Sequence, residues 1–357
     1  MNDGNVYAIY RPTMAHHSRC AWQCRHFLLL LIFLLLVGSS LTAQAQFQSS
    51  TQSESETLRV GVLKFGTVNW ELQVVQEHAL AEKRGIQIEV LPLASENALA
   101  VALQGGRVDL IVSDWLWAAR QRQAGRNYQF APYSLSVGAV MMAPQAGIAS
   151  LEDLKGHKLG IAGGPVDKTW LLLRAYAQQT KDIELTAFVE PTYAAPPMIN
   201  KLMIDGDLPA VINFWHYNAR LSASGMRPLL TVEQMLRDLG IETTPPLLGW
   251  VFAEQWADEN REALRSFIQA TYEAKQILAE SSQAWERLRP LVKPENEAVF
   301  AAIKEGYRSG IPQRYGAAEI EAAQRLFAIL AQEGGEDLVG RMQQLDTEVF
   351  WDGFRLP

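Results

Sequence analysis

The chain is poor in cysteine and histidine and has no long run of positive charge. Its two cysteines, Cys20 and Cys24, both fall before Gln46, so the rest carries none. That excludes disulfides, thiolate metal sites and cysteine nucleophiles from residue 46 onward. Three of six histidines, His78, His157 and His216, follow the same point, in three separate segments. No His-x-x-x-His, Gly-x-Ser-x-Gly, P-loop or Gly-x-Gly-x-x-Gly stands in the context its chemistry needs. With no basic tract, nucleic acid is not an expected partner. The apolar run Phe27–Val37 has 11 residues, against roughly 20 needed to span a bilayer.

That run is instead a leader signal. Arg19 and Arg25 precede it, and Gly38-Ser-Ser and Ala43-Gln-Ala45 follow, giving an n-region, an h-region and a small-x-small cleavage site. No cysteine follows the h-region, which argues against a lipid anchor. Residues 1–45 therefore read as a cleaved signal peptide, with Met1 or Met14 as the start, and the mature protein as periplasmic. The leader holds three arginines and one aspartate, leaving 29 basic against 38 acidic side chains, a net charge of −9. Residues 46–57 read as a flexible entry segment.

What the chain does have is a repeat of tryptophans. Trp70 and Trp170 lie 100 residues apart, and so do Trp115 and Trp215. The segment Gly106 to Arg120 shares Gly, Trp, Ala and Arg in register with Gly206 to Arg220. Each reads as a turn, a buried strand and the start of a helix. Strands at Leu58–Leu63, Ile86–Leu91 and Val108–Val112 alternate with helices at 69–82 and 96–103. A second series runs strand Lys158–Ala162, helix Thr169–Gln179, strand Leu185–Val189, helix Ala195–Ile204, strand Ala210–Phe214. Such alternation indicates βαβ units on parallel sheets. Val137–Ala143 and Leu248–Ala253 share an aliphatic-Gly-x-Val start and read as crossing strands. From Glu259 the pattern is helical, interrupted at Pro290, Pro294 and Pro312, and is expected to clad lobe 1. The fold class is α/β: two Rossmann-like lobes joined by two crossing strands. Lobe 1 is 58–140 and 249–357, and lobe 2 is 141–248.

In open α/β sheets a ligand binds outside the carboxyl ends of the strands, beside helix N-termini. Four segments qualify. Thr67, Asn69 and Trp70 follow the first strand; Gly163, Gly164, Lys168 and Trp170 are their equivalent in lobe 2. Ser113, Asp114 and Trp115 end the third strand, and Asn213, Phe214 and Trp215 end its counterpart. Paired glycines before a helix make a nest of N–H donors suited to a carboxylate, sulfonate or phosphate. The four tryptophans are expected to grip a planar body, while Ser113, Asp114, Asn213 and Lys168 set polar specificity. Asp114 would repel an anion unless it pairs with Lys168 or with a ligand cation. Thr67, Asn69 and Asp167 also have a plainer reading as helix caps, and His216 is a candidate for reaching the cleft.

Ala102-Leu-Gln-Gly-Gly-Arg-Val-Asp109, Ser150-Leu-Glu-Asp-Leu-Lys-Gly-His-Lys-Leu-Gly160, and Gly249-Trp-Val-Phe-Ala followed by Glu259-Asn-Arg-Glu-Ala-Leu resemble the nitrate/sulfonate/taurine-type solute-binding proteins of ABC importers, a family that includes thiamine-pyrimidine precursor binders. The resemblance covers about residues 58–350. It implies a type II periplasmic binding protein, acting as a monomer without cofactor or metal. Such a protein traps a small ligand on lobe closure and delivers it to a membrane permease with cytoplasmic ATPases. Where family members often carry a small Ser/Gly/Thr-rich segment, this chain has Asp114-Trp-Leu-Trp117. The expected ligands are an aromatic or heteroaromatic acid or sulfonate, a pyrimidine, or a planar redox-cofactor acid such as pyrroloquinoline quinone. Two alternatives remain: a thiamine-pyrimidine-synthase-like enzyme using pyridoxal phosphate, and a periplasmic sensor or adaptor.

Overall fold

A computed structural model describes residues 56–356 apart from 65 and 166. The expected signal peptide and most of the entry segment lie outside the described residues. Two five-stranded sheets carry the fold. The first contains β1 (Glu56–Leu63), β2 (Ile86–Leu93), β3 (Leu110–Ser113) and β4 (Tyr128–Ser134). The second contains β5 (Gly138–Met142), β6 (Lys158–Ala162), β7 (Glu190–Ala194), β8 (Ala210–Phe214) and β9 (Arg227–Thr231). β10 (Leu248–Ala253) returns to the first. The orders are β2-β1-β3-β10-β4 and β7-β6-β8-β5-β9.

The two sheets share one plan. β1 runs parallel to β2 and β3, as β6 does to β7 and β8. One antiparallel strand joins each: β10 between β3 and β4, and β5 between β8 and β9. Each antiparallel strand has a glycine within its first two residues, for one reason. A Cβ on Gly138 would sit 2.5 Å from the Asn213 carbonyl oxygen, and one on Gly249 would sit 2.4 Å from that of Ala131. The neighbouring backbone lies too close for any side chain.

Helices α1 (Val68–Glu77), α2 (Glu96–Gln104) and α3 (Trp115–Gln123) belong to the first series. In the second come α4 (Lys168–Lys181), α5 (Leu185–Phe188), α6 (Pro196–Ile204), α7 (Trp215–Ala223) and α8 (Val232–Asp238). Trp70 and Trp170 are each the third residue of a helix, and Trp115 and Trp215 are each the first.

The expected strand at Leu185–Val189 is not there. The Glu184 carboxylate accepts from the Thr186 and Ala187 amides and starts the short helix α5. The strand begins five residues later, at Glu190, in parallel register with Lys158. Pro191 is tolerated in it because β7 is an edge strand.

The C-terminal helices are α9 (Glu254–Glu259), α10 (Arg261–Glu280), α11 (Ser282–Val292), α12 (Glu297–Ser309) and α13 (Ala317–Val339). They do not all cover the first sheet's side. α10 and α11 pack on α1, but α12 lies against α7 and α13 against α4, both helices of the second series. Ion pairs mark the second contact and the edge of the first: Arg174 with Glu333 at 3.7 Å, and Arg220 with Glu295 at 3.1 Å. Among the described residues no helix is long and apolar enough to cross a membrane.

Candidate functional site

The carboxyl ends of the two sheets meet through side chains. Lys168, opening α4 after β6, reaches Asp114 at the end of β3, with Nζ 2.8 Å from Oδ2. Trp215, opening α7 after β8, meets Trp70 of α1 edge-on, their ring centroids 6.1 Å apart. Both contacts cross from one sheet's elements to the other's, so the crevice between them is shut by its own side chains.

Capping explains why the acids stand there. The Asp114 Oδ1 accepts from the Trp117 amide at 2.7 Å, and the Asp167 Oδ1 accepts from the Trp170 amide at 2.9 Å. Each satisfies an orphan N–H at a helix start. α1 and α7 have no side-chain cap. Asp167 keeps part of its surface exposed, yet the surrounding protein desolvates its carboxyl enough to push it up to about 6. Lys168 is held above the usual lysine range, chiefly by Asp114 and then by Glu96 and Asp167.

The glycine turn has the chain's own Asp167 beside it. Gly163 and Gly164 take left-handed φ values of 85° and 93°. Yet a Cβ on Gly163 would lie 3.4 Å from the Asp167 Oδ2, with the Phe214 ring beside it at 3.7 Å.

Two small cavities flank the crossing contacts. Thr67, Tyr133, Ser134, Ser136, Trp215, Lys275 and Tyr307 line one of about 10 Å³. Beneath it lies a buried ion pair, Lys275 with Glu71, whose Oε2 also accepts from the Tyr307 hydroxyl at 2.9 Å. The Lys275 ammonium sits 3.8 Å from the Tyr133 ring centroid. Burial pushes Glu71 up and Lys275 down, and each opposes the other's shift. The Tyr133 hydroxyl, facing Thr67, and the Glu71 Oε1 complete no hydrogen bond of ordinary geometry. The second cavity, about 20 Å³, lies among Asp114, Trp115, Lys168, Leu172, Leu247, Leu326 and Leu330.

The four tryptophans do not line one described cavity. Trp215 lines the first cavity and Trp115 the second. Trp70 packs between Trp215 and Trp285. Trp170 is 1% exposed and buried in the core. Trp115 is equally buried against Phe350. Of the four rings Trp215 alone is half-buried, backed by Trp70, and the other three are buried.

Asn213 is consumed internally, donating to the Pro196 carbonyl and the Asn200 Oδ1 and accepting from the Phe214 amide. Asn69 braces the loop after β1 through the Leu63 and Gly66 carbonyls. Ser113 ends β3 opposite Gly249. His216 keeps a partly exposed edge, but its Nδ1 is enclosed without a partner, and burial lowers its pKa to about 3. Sequence reasoning missed Tyr133, Ser134, Ser136, Lys275 and Tyr307. Among the described residues, no cluster of three His, Cys, Asp or Glu could hold a metal ion.

Comparison with known proteins places this architecture. An Escherichia coli K12 relative named "Putative aliphatic sulfonates-binding protein" is 27% identical over 206 residues, covering 56% of this chain and 61% of its own length. The chain thus matches less than two thirds of that relative. The crystal structure of the E. coli periplasmic aliphatic sulphonate binding protein SsuA has a TM-score of 0.65 at 19% identity, over 85% of this chain and 94% of that one. The alkanesulfonate-binding protein SsuA from Xanthomonas axonopodis pv. citri, bound to MOPS, has a TM-score of 0.64 at 16% identity, over 84% and 99%. These likenesses show the two-lobed periplasmic-binding-protein fold. A family model described as "NMT1/THI5 like" matches residues 74–284. The chain, two sheets of one plan with their facing ends in contact, belongs to the NMT1/THI5-like family.

Proposed function

We propose that this protein is the solute-binding component of an ABC importer, exported to the periplasm by its leader and acting as a monomer without enzymatic activity. One lobe is built on the first sheet, within 58–137 and 248–356, and the other on the second, within 138–247, so the boundaries fall before β5 and β10 and not at 140 and 249. The observation that carries the reading is the Lys168–Asp114 ion pair at 2.8 Å, which ties the carboxyl end of one sheet to that of the other. Two lobes able to touch in this way form a clamshell. A ligand that contacts both lobes only when they are together shifts the population toward the closed form. The closed form is what a permease and its ATPases would recognise.

Trp215 is the residue best placed to meet the guest. It stands between Trp70 and Tyr307 and lines the hydroxyl-rich cavity of Thr67, Ser134 and Ser136. An aliphatic sulfonate is one reading of the ligand, supported by the names of the relatives. Native mass spectrometry of protein purified from its own periplasm should find a small molecule bound. Tryptophan fluorescence should then report that molecule's rebinding, and Trp215→Ala should weaken it by about tenfold, the loss of one good aromatic contact with its buried area. A protein that carries no guest, and whose emission no small molecule perturbs, would sink the reading.

A further inference from the structure

The charges where the sheets meet favour a ligand of the opposite sign to a sulfonate. Asp114 is 8% exposed, and both of its oxygens are engaged, one by the Trp117 amide and one by Lys168. The carboxylates acting most strongly on Lys168 are Asp114, Glu96 and Asp167. One acid thus touches the ammonium, and two more act on it through space. The helix starts that would receive an anion, those of α3 and α4, are filled by two of these acids.

A second observation comes from the neighbouring cavity. Trp115 is 1% exposed, and its indole N–H is enclosed with no acceptor. The cavity it lines with Asp114 and Lys168 is otherwise walled mainly by leucines. At about 20 Å³ it has room for one water. A larger guest enters only with the lobes parted, when Lys168 has left Asp114.

We propose that the cavity beside Asp114 is a subsite for an organic cation, apart from the Trp215 cavity: the cation's nitrogen takes the place of the Lys168 Nζ on Asp114, an acceptor atom meets the Trp115 N–H, and an apolar body lies among Leu172, Leu247 and Leu326. This rests on the receptor reading above. The charge count sets the sign. With Lys168 drawn back toward Asp167 and Glu96, a cationic guest brings the group to −1, whereas an anionic guest brings it to −3. Lys168 is then an internal stand-in for the ligand and competes with it.

The test uses two probes of one skeleton, 2-(4-methoxyphenyl)ethylammonium and 2-(4-methoxyphenyl)ethanesulfonate, titrated at millimolar concentration by calorimetry and tryptophan fluorescence. The ammonium should bind and the sulfonate should be at least about tenfold weaker. Asp114→Asn, which keeps the helix cap, should weaken the ammonium by about tenfold or more, and Lys168→Met should tighten it. A tighter sulfonate that Lys168→Met weakens would overturn the charge assignment while leaving the receptor intact. Binding of neither probe overturns the assignment too. If, in addition, no small molecule co-purifies, the receptor reading falls with it.

Discussion

Lys275→Met is the most informative single perturbation of the buried site. Glu71 is 0% exposed and Lys275 2%, and the two are each other's counter-ion. Methionine matches the length of the lysine stem but leaves Glu71 with only the Tyr307 hydroxyl, its Oε1 being already without a donor. Removing one partner of a buried pair typically costs about 3–5 kcal/mol, because an uncompensated charge stays behind. Glu71, already pushed up by burial, would rise further and take a proton. The penalty should therefore shrink as pH falls, by up to roughly 1.4 kcal/mol per unit across the range where Glu71 is protonated only in the native state. Glu71→Gln with Lys275→Met removes both charges and should lie within about 1–2 kcal/mol of the parent. Urea unfolding of the parent, both single variants and the double, at neutral and at mildly acidic pH, gives the complete cycle. A Lys275→Met variant within about 1 kcal/mol of the parent at neutral pH would refute the reasoning.

Two further outcomes are expected. Gly249→Ala should destabilise the protein by about 3 kcal/mol or more, since its Cβ would meet Phe130 at 2.2 Å and a backbone oxygen at 2.4 Å; a denaturation midpoint like the parent's would contradict that. His216, lowered to about 3 in the folded protein against 6.5 unfolded, contributes stability that is present above pH 6.5 and lost as pH falls toward 3. His216→Gln should therefore lose less stability than the parent between neutral pH and pH 4.5, by roughly 2 kcal/mol; parallel pH profiles would disprove it.

The duplicated plan was legible in the residues because each lobe spends its tryptophans at the same two helix positions. What the repeat does not carry is where each ring points. Trp115 and Trp215 both open a helix and both line a cavity, but Trp115, packed against Phe350 from the far end of the chain, is 1% exposed, while Trp215 is half-buried. Tertiary cover, not local spacing, decided which ring is available. β7 was misplaced because Leu185 to Val189 is apolar, whereas a glutamate cap and an edge proline settle the true strand. Lys275 had a signal that went unread. It falls on the buried stripe of α10 with Leu264, Ile268, Thr271 and Leu278, where a lysine needs a hidden acid. Asp167 was read as a cap and Asp114 as a polar ligand contact, and both accept from an amide at a helix start.

Because α12 and α13 bear on helices of the second series, any parting of the two sheets would slide these helices as well as swing them. Leucines such as Leu172, Leu326 and Leu330 would be wetted as the helices slide, at about 25 cal/mol for each square ångström uncovered.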